Sequence, residues 1–357
     1  MMKKNNHLVH VITGLQRGGA EMVLITLARE LTQKKYHQSV VFFKDGPLRQ
    51  ELEALGIKTY LVSYIIAPVK IAQLRPTQIH SSLWSANIIA RIAGYFLSIP
   101  VVCSLHTVAQ HSGFIRNTVD YLIDNLSPFG PQRYIAVSPL VKQSYNSLLG
   151  DKKIVVIENG VSPFTLIAAH KKKNRYTIGT IGRFVAVKNY HLLITLFARL
   201  HKEFPTTHLM LVGHGPLEQE LRALVKNLAI NDAVTFVINQ PGRDYYSFFD
   251  CFIQPSAYEG YGLAAAEALH AGIPLIVTGY NRNHPFVVHH ISGLVIEPHD
   301  SHALYQALKF YLLNQQTAQH YAQIGKNYAR KNFSSAVMAK KYLLLILSLK
   351  KARYVHL

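Results

Sequence analysis

The chain has 357 residues, enough for about two domains of ordinary size. Apolar residues make up 49% and charged residues 16%, which excludes a largely disordered chain and supplies a substantial core. Lys and Arg number 38 against 19 Asp and Glu, a net charge of +19, so phosphates, anionic lipid or nucleic acid are the partners to expect. The excess is spread along the chain and is densest at residues 333–357, which hold five basic groups and no acid.

In chain order, Leu8–Thr13 is a short apolar run ending at Gly14, and it predicts a strand. A glycine-rich loop follows, then Glu21–Thr32 with Met22, Ile25, Leu27 and Leu31 at helical spacing. Ser39–Phe43 and Lys58–Ser63 read as strands on either side of a helix at Leu48–Leu55, which Gly56 stops. Val101–Leu105, Tyr134–Val137 and Ile154–Glu158 continue the series, the last followed by Asn159-Gly160. Pro163 and the run Lys171-Lys172-Lys173 mark a linker between Ser162 and Asn174. The alternation then restarts with Thr177–Ile181, Leu209–Val212, Val234–Val237, Cys251–Gln254 and Leu275–Thr278. Strands separated by helical segments predict two α/β halves of about 165 residues, each a parallel sheet with helices on both faces.

Cys103 and Cys251 lie in apolar stretches and read as small buried thiols, with no disulfide or zinc spacing around them. The basic start Met1-Met2-Lys3-Lys4 precedes an apolar run that His10 and Gly14 interrupt, so a signal peptide is not expected. No run approaches the length of a membrane span. The expectation is a cytosolic protein that touches the inner face of a membrane.

Four strings carry chemistry. Gly14-Leu15-Gln16-Arg17-Gly18-Gly19-Ala20-Glu21 joins the first strand to the first helix, where glycines admit a close ligand and a helix start offers N–H groups to an anion. A tight turn without a ligand explains the string equally well. Gly182-Arg183-Phe184 ends a strand and Lys188-Asn189 opens the helix His191–Leu200, so two cations sit at a strand's C-terminal end, where α/β sheets bind ligands. Pro255-Ser256-Ala257-Tyr258-Glu259-Gly260-Tyr261-Gly262 leads from a strand into the alanine-rich helix start Leu263-Ala264-Ala265-Ala266-Glu267. There the amides of Gly262, Leu263 and Ala264 point outward with the positive end of the helix dipole. Glu259 falls in the loop and Glu267 about one turn into the helix, so both border one pocket. Carboxylates beside an anion site suit sugar or ribose hydroxyls, which donate hydrogen bonds to them.

The Glu259–Glu267 string resembles the Glu-x7-Glu motif of the retaining family-4 glycosyltransferases, and similarity to that family runs through nearly the whole chain. Gly18-Gly19-Ala20-Glu21, Leu105-His106-Thr107, Ala136-Val137-Ser138 and Ile157-Glu158-Asn159-Gly160-Val161 are similar to its N-terminal landmarks. Gly182-Arg183…Lys188-Asn189, Leu211-Val212-Gly213-His214-Gly215-Pro216 and Ala271-Gly272-Ile273-Pro274 are similar to its donor half.

The resemblance implies a GT-B fold: two Rossmann-like α/β domains whose parallel sheets face a central cleft. It implies an acceptor domain at 1–165, a nucleotide-sugar donor domain at 166–332, and a helix at 333–357 that crosses back to the first. Arg183 and Lys188 would neutralise the diphosphate, with Gly182 and the Gly262, Leu263 and Ala264 amides around it. Glu267 would hold ribose hydroxyls and Glu259 the donor sugar. His106 would face that sugar from the N-terminal half, with Gly18 and Gly19 approaching the phosphates. No cofactor is implied, and the sequence offers no Asp-x-Asp motif for a divalent ion. The implied reaction transfers a hexose or N-acetylhexosamine, with UDP-sugars favoured, to a lipid-linked or cell-surface polysaccharide or lipopolysaccharide acceptor.

Two departures from the family pattern touch the base pocket and the loop after Thr278. Phe286 stands where the family carries an acid, and Ile238-Asn239 where it carries a glycine. Arg243 and Tyr246 are placed at the border of that pocket. Ser335–Leu357 reads as a helix with a basic side (Lys340, Lys341, Lys350, Lys351, Arg353) and an apolar side (Val337, Leu344, Leu347), open to packing on the N-terminal half and to anionic lipid. Two other classes remain at this stage: a GT-B nucleotide-sugar epimerase, and a basic nucleic-acid-binding protein, for which no reading motif is present.

Overall fold

A computed structural model describes residues 6–109, 133–149, 153–168, 175–279, 281 and 284–354, side chains at 147, 148 and 350–354 excepted. The sequence readings at Met1–Lys4, Lys171–Lys173, Arg282 and Asn283, and those of the Lys350, Lys351 and Arg353 side chains, lie outside the described residues. The chain divides into two compact units, one of Met1–Ser162 with Phe333–Leu357 and one of Pro163–Asn332.

In the first unit, β1 (His7–Gly14), β2 (His37–Lys44), β3 (Lys58–Leu61), β4 (Gln78–Ser82), β5 (Val101–Leu105), β6 (Arg133–Ala136) and β7 (Ile154–Val156) form one sheet in the order β3-β2-β1-β4-β5-β6-β7. Every pairing is parallel. The helices are α1 (Gly19–Gln33), α2 (Leu48–Ala54), α3 (Ala67–Gln73), α4 (Trp84–Phe96) and α5 (Pro139–Leu149). Central strands covered on both faces must be apolar throughout, and Val9, Val11, Ile12, Val40, Val41 and Phe42 are buried.

Strand β4 breaks that pattern. Its residues Gln78, His80, Ser81 and Ser82 are all buried, and they hold their place through hydrogen bonds. The Gln38 amide donates to Ala28 O (3.1 Å) and Thr32 Oγ1 (3.0 Å), so its Oε1 accepts from His10 Nε2 at 3.1 Å. His10 Nδ1 then accepts from His80 Nδ1 at 2.9 Å, and His80 Nε2 accepts from Ser104 Oγ at 2.9 Å. Ser104 in turn accepts from the Tyr342 hydroxyl at 3.0 Å. The chain closes with both histidines neutral; burial pushes His10 down to about 4 and His80 well below its ordinary value.

The last helix, α11 (Ser335–Tyr354), completes this unit by packing on α1. Its seat is the segment after β7. A Cβ on Gly160 would meet Ser334 O and Ser335 Cα at 2.7 Å, so only glycine lets the helix start approach so closely. Met338, Ala339, Tyr342 and Ile346 are the buried face. The apolar side expected at Val337, Leu344 and Leu347 is therefore corrected: Leu344 is 60% and Leu347 42% exposed. Leu343–Leu347 is apolar on every side, so its sequence does not show which face turns inward. Lys341 of the basic side pairs with Glu158 at 2.6 Å.

The second unit holds β8 (Tyr176–Ile181), β9 (Thr207–Val212), β10 (Val234–Val237), β11 (Cys251–Gln254), β12 (Leu275–Thr278) and β13 (Leu294–Ile296), all parallel, in the order β10-β9-β8-β11-β12-β13. Helices α6 (Tyr190–Glu203), α7 (Glu218–Asn227), α8 (Leu263–Ala271), α9 (Ser301–Leu313) and α10 (Gln315–Asn332) flank it. Its core is apolar, with Ile178, Phe197, Leu209, Leu211, Ile253 and Ile276 inaccessible. Cys103 and Cys251 are buried and form no disulfide, and burial pushes the Cys251 thiol up. Among the described residues, no helix is long and apolar enough to cross a membrane.

Candidate functional site

The second unit gathers most of the residues singled out from the sequence at the C-terminal ends of β8 and β11. Strand β8 ends at Ile181, and the Gly182 amide donates to Val212 O at 3.0 Å. The glycines of the loop after β9 explain why Gly182–Phe184 sits where it does. A Cβ on Gly213 would lie 2.0 Å from Gly182 O, and one on Gly215 2.5 Å from Phe184 O. Phe184 N–H donates to His214 O at 2.8 Å and Leu217 N–H to Phe184 O at 3.2 Å. The buried Phe184 ring anchors this loop, while Arg183 between the two is exposed and forms no ion pair among the described residues.

A single 3-10 turn, Ala186–Lys188, and a left-handed Asn189 (φ 56°) turn the chain into α6. Asparagine tolerates that backbone better than most residues. Lys188 thereby comes beside Gly182, its Cε 3.5 Å from where a Gly182 Cβ would be. Its ammonium pairs with Glu259 Oε1, an oxygen that also accepts from Ser256 Oγ at 2.7 Å. Ala257 N–H donates to Val187 O at 2.8 Å, fixing the β11–α8 loop against the lysine turn. The Tyr190 phenol sits beneath this corner, bonded to Thr180 and pushed up by burial.

Gly262 caps α8 with a left-handed backbone (φ 86°) and no side-chain cap. The first intrahelical bond runs from Ala266 N–H to Gly262 O, leaving the amides of Leu263 and Ala264 outside the helical ladder. Glu267 is buried in the second turn. Its Oε1 accepts from Arg243 Nε (2.8 Å) and Nη2 (2.6 Å), and its Oε2 from the Tyr246 hydroxyl (3.1 Å). Tyr246 also reaches Ala264 O at 2.8 Å, and the Arg243 guanidinium lies 5.1 Å from the centre of the Phe164 ring.

Phe286 is buried with its ring 5.1 Å from Tyr261 and 4.4 Å from His284. In place of an acid it lays an apolar support under the Glu259–Gly262 loop, and burial pushes His284 down to about 3. Sequence reasoning passed over three contributors: Ser256, Tyr190 and Phe164. Ser256 was visible in the quoted string but carries no charge to draw notice, and the other two lie outside every string that carried chemistry.

His106, Gly18 and Gly19 belong to the first unit. His106 follows β5, its Nε2 3.4 Å from Ser82 Oγ, and burial pushes it down to about 4, so the imidazole is neutral at physiological pH. Gly18 is the N-cap of α1, and a Cβ on Gly19 would meet nothing within 4 Å. Burial raises Glu21 in the first turn of that helix.

The site thus offers an exposed guanidinium, an ammonium shared with a carboxylate, and an uncapped helix start, beside a second carboxylate held by arginine and tyrosine. Such a set suits a phosphate-bearing ligand that also carries hydroxyls. Among the described residues, no group of three or more metal-ligating side chains forms a metal site.

Comparison with known proteins agrees with this division. Residues 17–163 match the family described as Glycosyltransferase Family 4, and residues 165–329 match Glycosyl transferases group 1. EpsF of Bacillus subtilis is 25% identical over 78% of this chain and 80% of its own length. The lipopolysaccharide core biosynthesis glycosyltransferase LpsE of Rhizobium meliloti is 21% identical over 93% of this chain and 96% of its own. The structure of HepE from Anabaena, in complex with UDP and glucose, superposes with a TM-score of 0.84 at 19% identity, covering 96% of this chain and all of that one. This likeness shows the fold: two Rossmann-like domains with parallel sheets, the GT-B arrangement.

Proposed function

The chain is a glycosyltransferase, with a family 4-like domain followed by a group 1 domain, and we propose that it moves a hexose or N-acetylhexosamine from a UDP-sugar with retention of configuration. The observation that carries the reading is the cluster Arg183, Lys188, Glu259 and the open start of α8, set on one end of the second sheet. An arriving diphosphate takes Lys188 from Glu259. Arg183 and the Leu263 and Ala264 amides supply the remaining positive potential. Released from the lysine, Glu259 stays anchored by Ser256 and accepts from sugar hydroxyls. Glu267, already oriented by Arg243 and Tyr246, takes the ribose.

As the glycosidic bond breaks, negative charge builds on the diphosphate, and groups fixed in place beforehand stabilise that charge most in the transition state. These cations and amides provide that stabilisation without a divalent ion. The leaving phosphate then takes the acceptor's proton as the hydroxyl attacks on the face it vacated, so no nucleophile from the protein is required. The roles of His106, Gly18 and Gly19 rest on the family resemblance, and their test is kinetic. The acceptor we assign is a lipid-linked or lipopolysaccharide glycan, in keeping with the name of LpsE. Peripheral contact with an anionic membrane at its cytoplasmic face follows from such an acceptor.

An epimerase is disfavoured because both matched families are transferases. Incubation with a panel of nucleotide-sugars tests the reading. Lys188→Ala should lower transfer at least tenfold with the fold intact, and near-native turnover in that variant refutes the assignment.

A further inference from the structure

The longest acid-free stretch of the chain runs from Ala54 to Val119, between Glu53 and Asp120. Inside it, the turn between β3 and α3 presents a run of apolar side chains to solvent. Ile65 is 89% exposed, Val69 57%, Ile66 56%, Leu61 48% and Tyr64 42%. Large aliphatic groups are seldom left in water side by side on one turn.

The local structure holds them there. Val62 N–H donates to Phe42 O at 3.0 Å and the Tyr64 ring packs on Phe43 at 4.3 Å, fixing the base of the turn. Ser63 O accepts from Ala67 N–H at 3.1 Å, which starts α3 and leaves Ile65 and Ile66 at the projecting positions. Ala67 and Ile71 form the buried side of α3, so Val69 turns outward. Strand β3 is the sheet edge, which places the turn at the margin of the unit.

Cations flank this turn: Lys44 at the end of β2 is exposed, and Lys70 Nζ lies 4.2 Å from the centre of the Tyr60 ring. The nearest acids are already engaged: Glu53 accepts from Thr59 and pairs with Arg49 at 2.9 Å, and Arg49 also holds Asp45 at 3.1 Å. A second copy of a chain with a charge of +19 would set like charges against this face. An anionic bilayer complements both its parts, the apolar tip entering the acyl boundary while the cations meet the headgroups.

We propose that residues 61–69 are a membrane-docking turn, inserting Ile65, Ile66 and Val69 into an anionic lipid surface. The proposal goes beyond the transferase reading and places lipid contact on the first unit's sheet edge rather than on the basic helix α11. It does not depend on donor identity.

The test compares the wild type with Ile65→Ser/Ile66→Ser/Val69→Ser in flotation with vesicles of phosphatidylcholine, alone or with 30 mol% phosphatidylglycerol, at 0.3 M NaCl to screen general charge attraction. Thermal midpoint and UDP-binding heat are measured alongside, so that a failure of the donor site reads separately. The expected result is wild-type binding to the anionic vesicles and at least a tenfold weaker partition for the variant, with unchanged midpoint and UDP heat. Lys44→Glu/Lys70→Glu should weaken binding to anionic vesicles by a similar factor. Equal partition of the triple variant and the wild type, or no wild-type binding, overturns the proposal. So does sedimentation showing that the wild type self-associates and the triple variant does not.

Discussion

Replacing Gly213 by alanine should strain the loop that carries Arg183. The added Cβ would lie 2.0 Å from Gly182 O and 3.0 Å from Gly182 C, both backbone atoms that no rotamer change can move aside. A carbon–oxygen contact needs about 3.2 Å, so one of the two loops must shift by roughly 1 Å, and overpacking of that kind costs about 1–3 kcal/mol. The φ of 150° at Gly213 adds about 1–3 kcal/mol for any residue with a side chain. In a unit of this size, a total of about 2–6 kcal/mol lowers the melting midpoint by at least ~5 °C. If Gly182–Phe184 yields instead of the β9 loop, Arg183 moves with it and UDP affinity falls at least tenfold. Differential scanning calorimetry and UDP titration read the two effects. A Gly213→Ala protein with native midpoint and native UDP affinity refutes this account of the loop.

The contrasting case is Gly19→Ala, where a Cβ meets nothing and the residue opens α1. Stability should hold or rise by up to ~1 kcal/mol, while kcat/KM falls if this amide approaches the phosphates; an unchanged kcat/KM removes Gly19 from the site. Tyr246→Phe removes a buried hydroxyl that serves Ala264 O and Glu267. It should cost about 1–3 kcal/mol and weaken UDP binding, and a midpoint within 1 °C of the wild type contradicts the packing described. His10 and His106 are held down to about 4 and His284 to about 3, so the unfolded chain binds more protons than the native one below pH 6.5. The contribution of these neutral imidazoles is therefore full above pH 6.5 and is lost progressively down to about pH 4 for His10 and His106 and about pH 3 for His284. A melting midpoint flat from pH 7 to pH 4.5 would show that these rings are not buried as neutral groups.

Apolar strands were legible in the sequence where both faces of a strand are buried. Val101–Leu105, Cys251–Gln254 and Leu275–Thr278 begin and end where their patterns do. Strand β4 escaped notice because Gln78, His80, Ser81 and Ser82 look like a loop until their partners on β1, β5 and α11 are known. Those partners lie far along the chain, and no local period announces them. Strand β13 was missed for its brevity, and the buried face of α11 because Leu343–Leu347 is apolar all round.

At the site, the strings around Gly182, Lys188 and Gly262 were visible as loops at strand ends. The pairing of Lys188 with Glu259 and of Arg243 with Glu267 was not, because each joins residues that only the sheet order brings together. Gly213 and Gly215 stood out as glycines, but their reason, the backbone of Gly182–Phe184 lying against them, is a fact of packing alone.

The central claim is that a diphosphate is held by Arg183, Lys188 and the start of α8. Isothermal titration with UDP and with uridine measures it most directly. Two charge-assisted contacts at about 1.5–3 kcal/mol each predict UDP binding at least a hundredfold tighter than uridine, with most of that difference gone in Arg183→Ala/Lys188→Ala. Equal affinity for the two ligands, or an undiminished preference for UDP in the double variant, contradicts it.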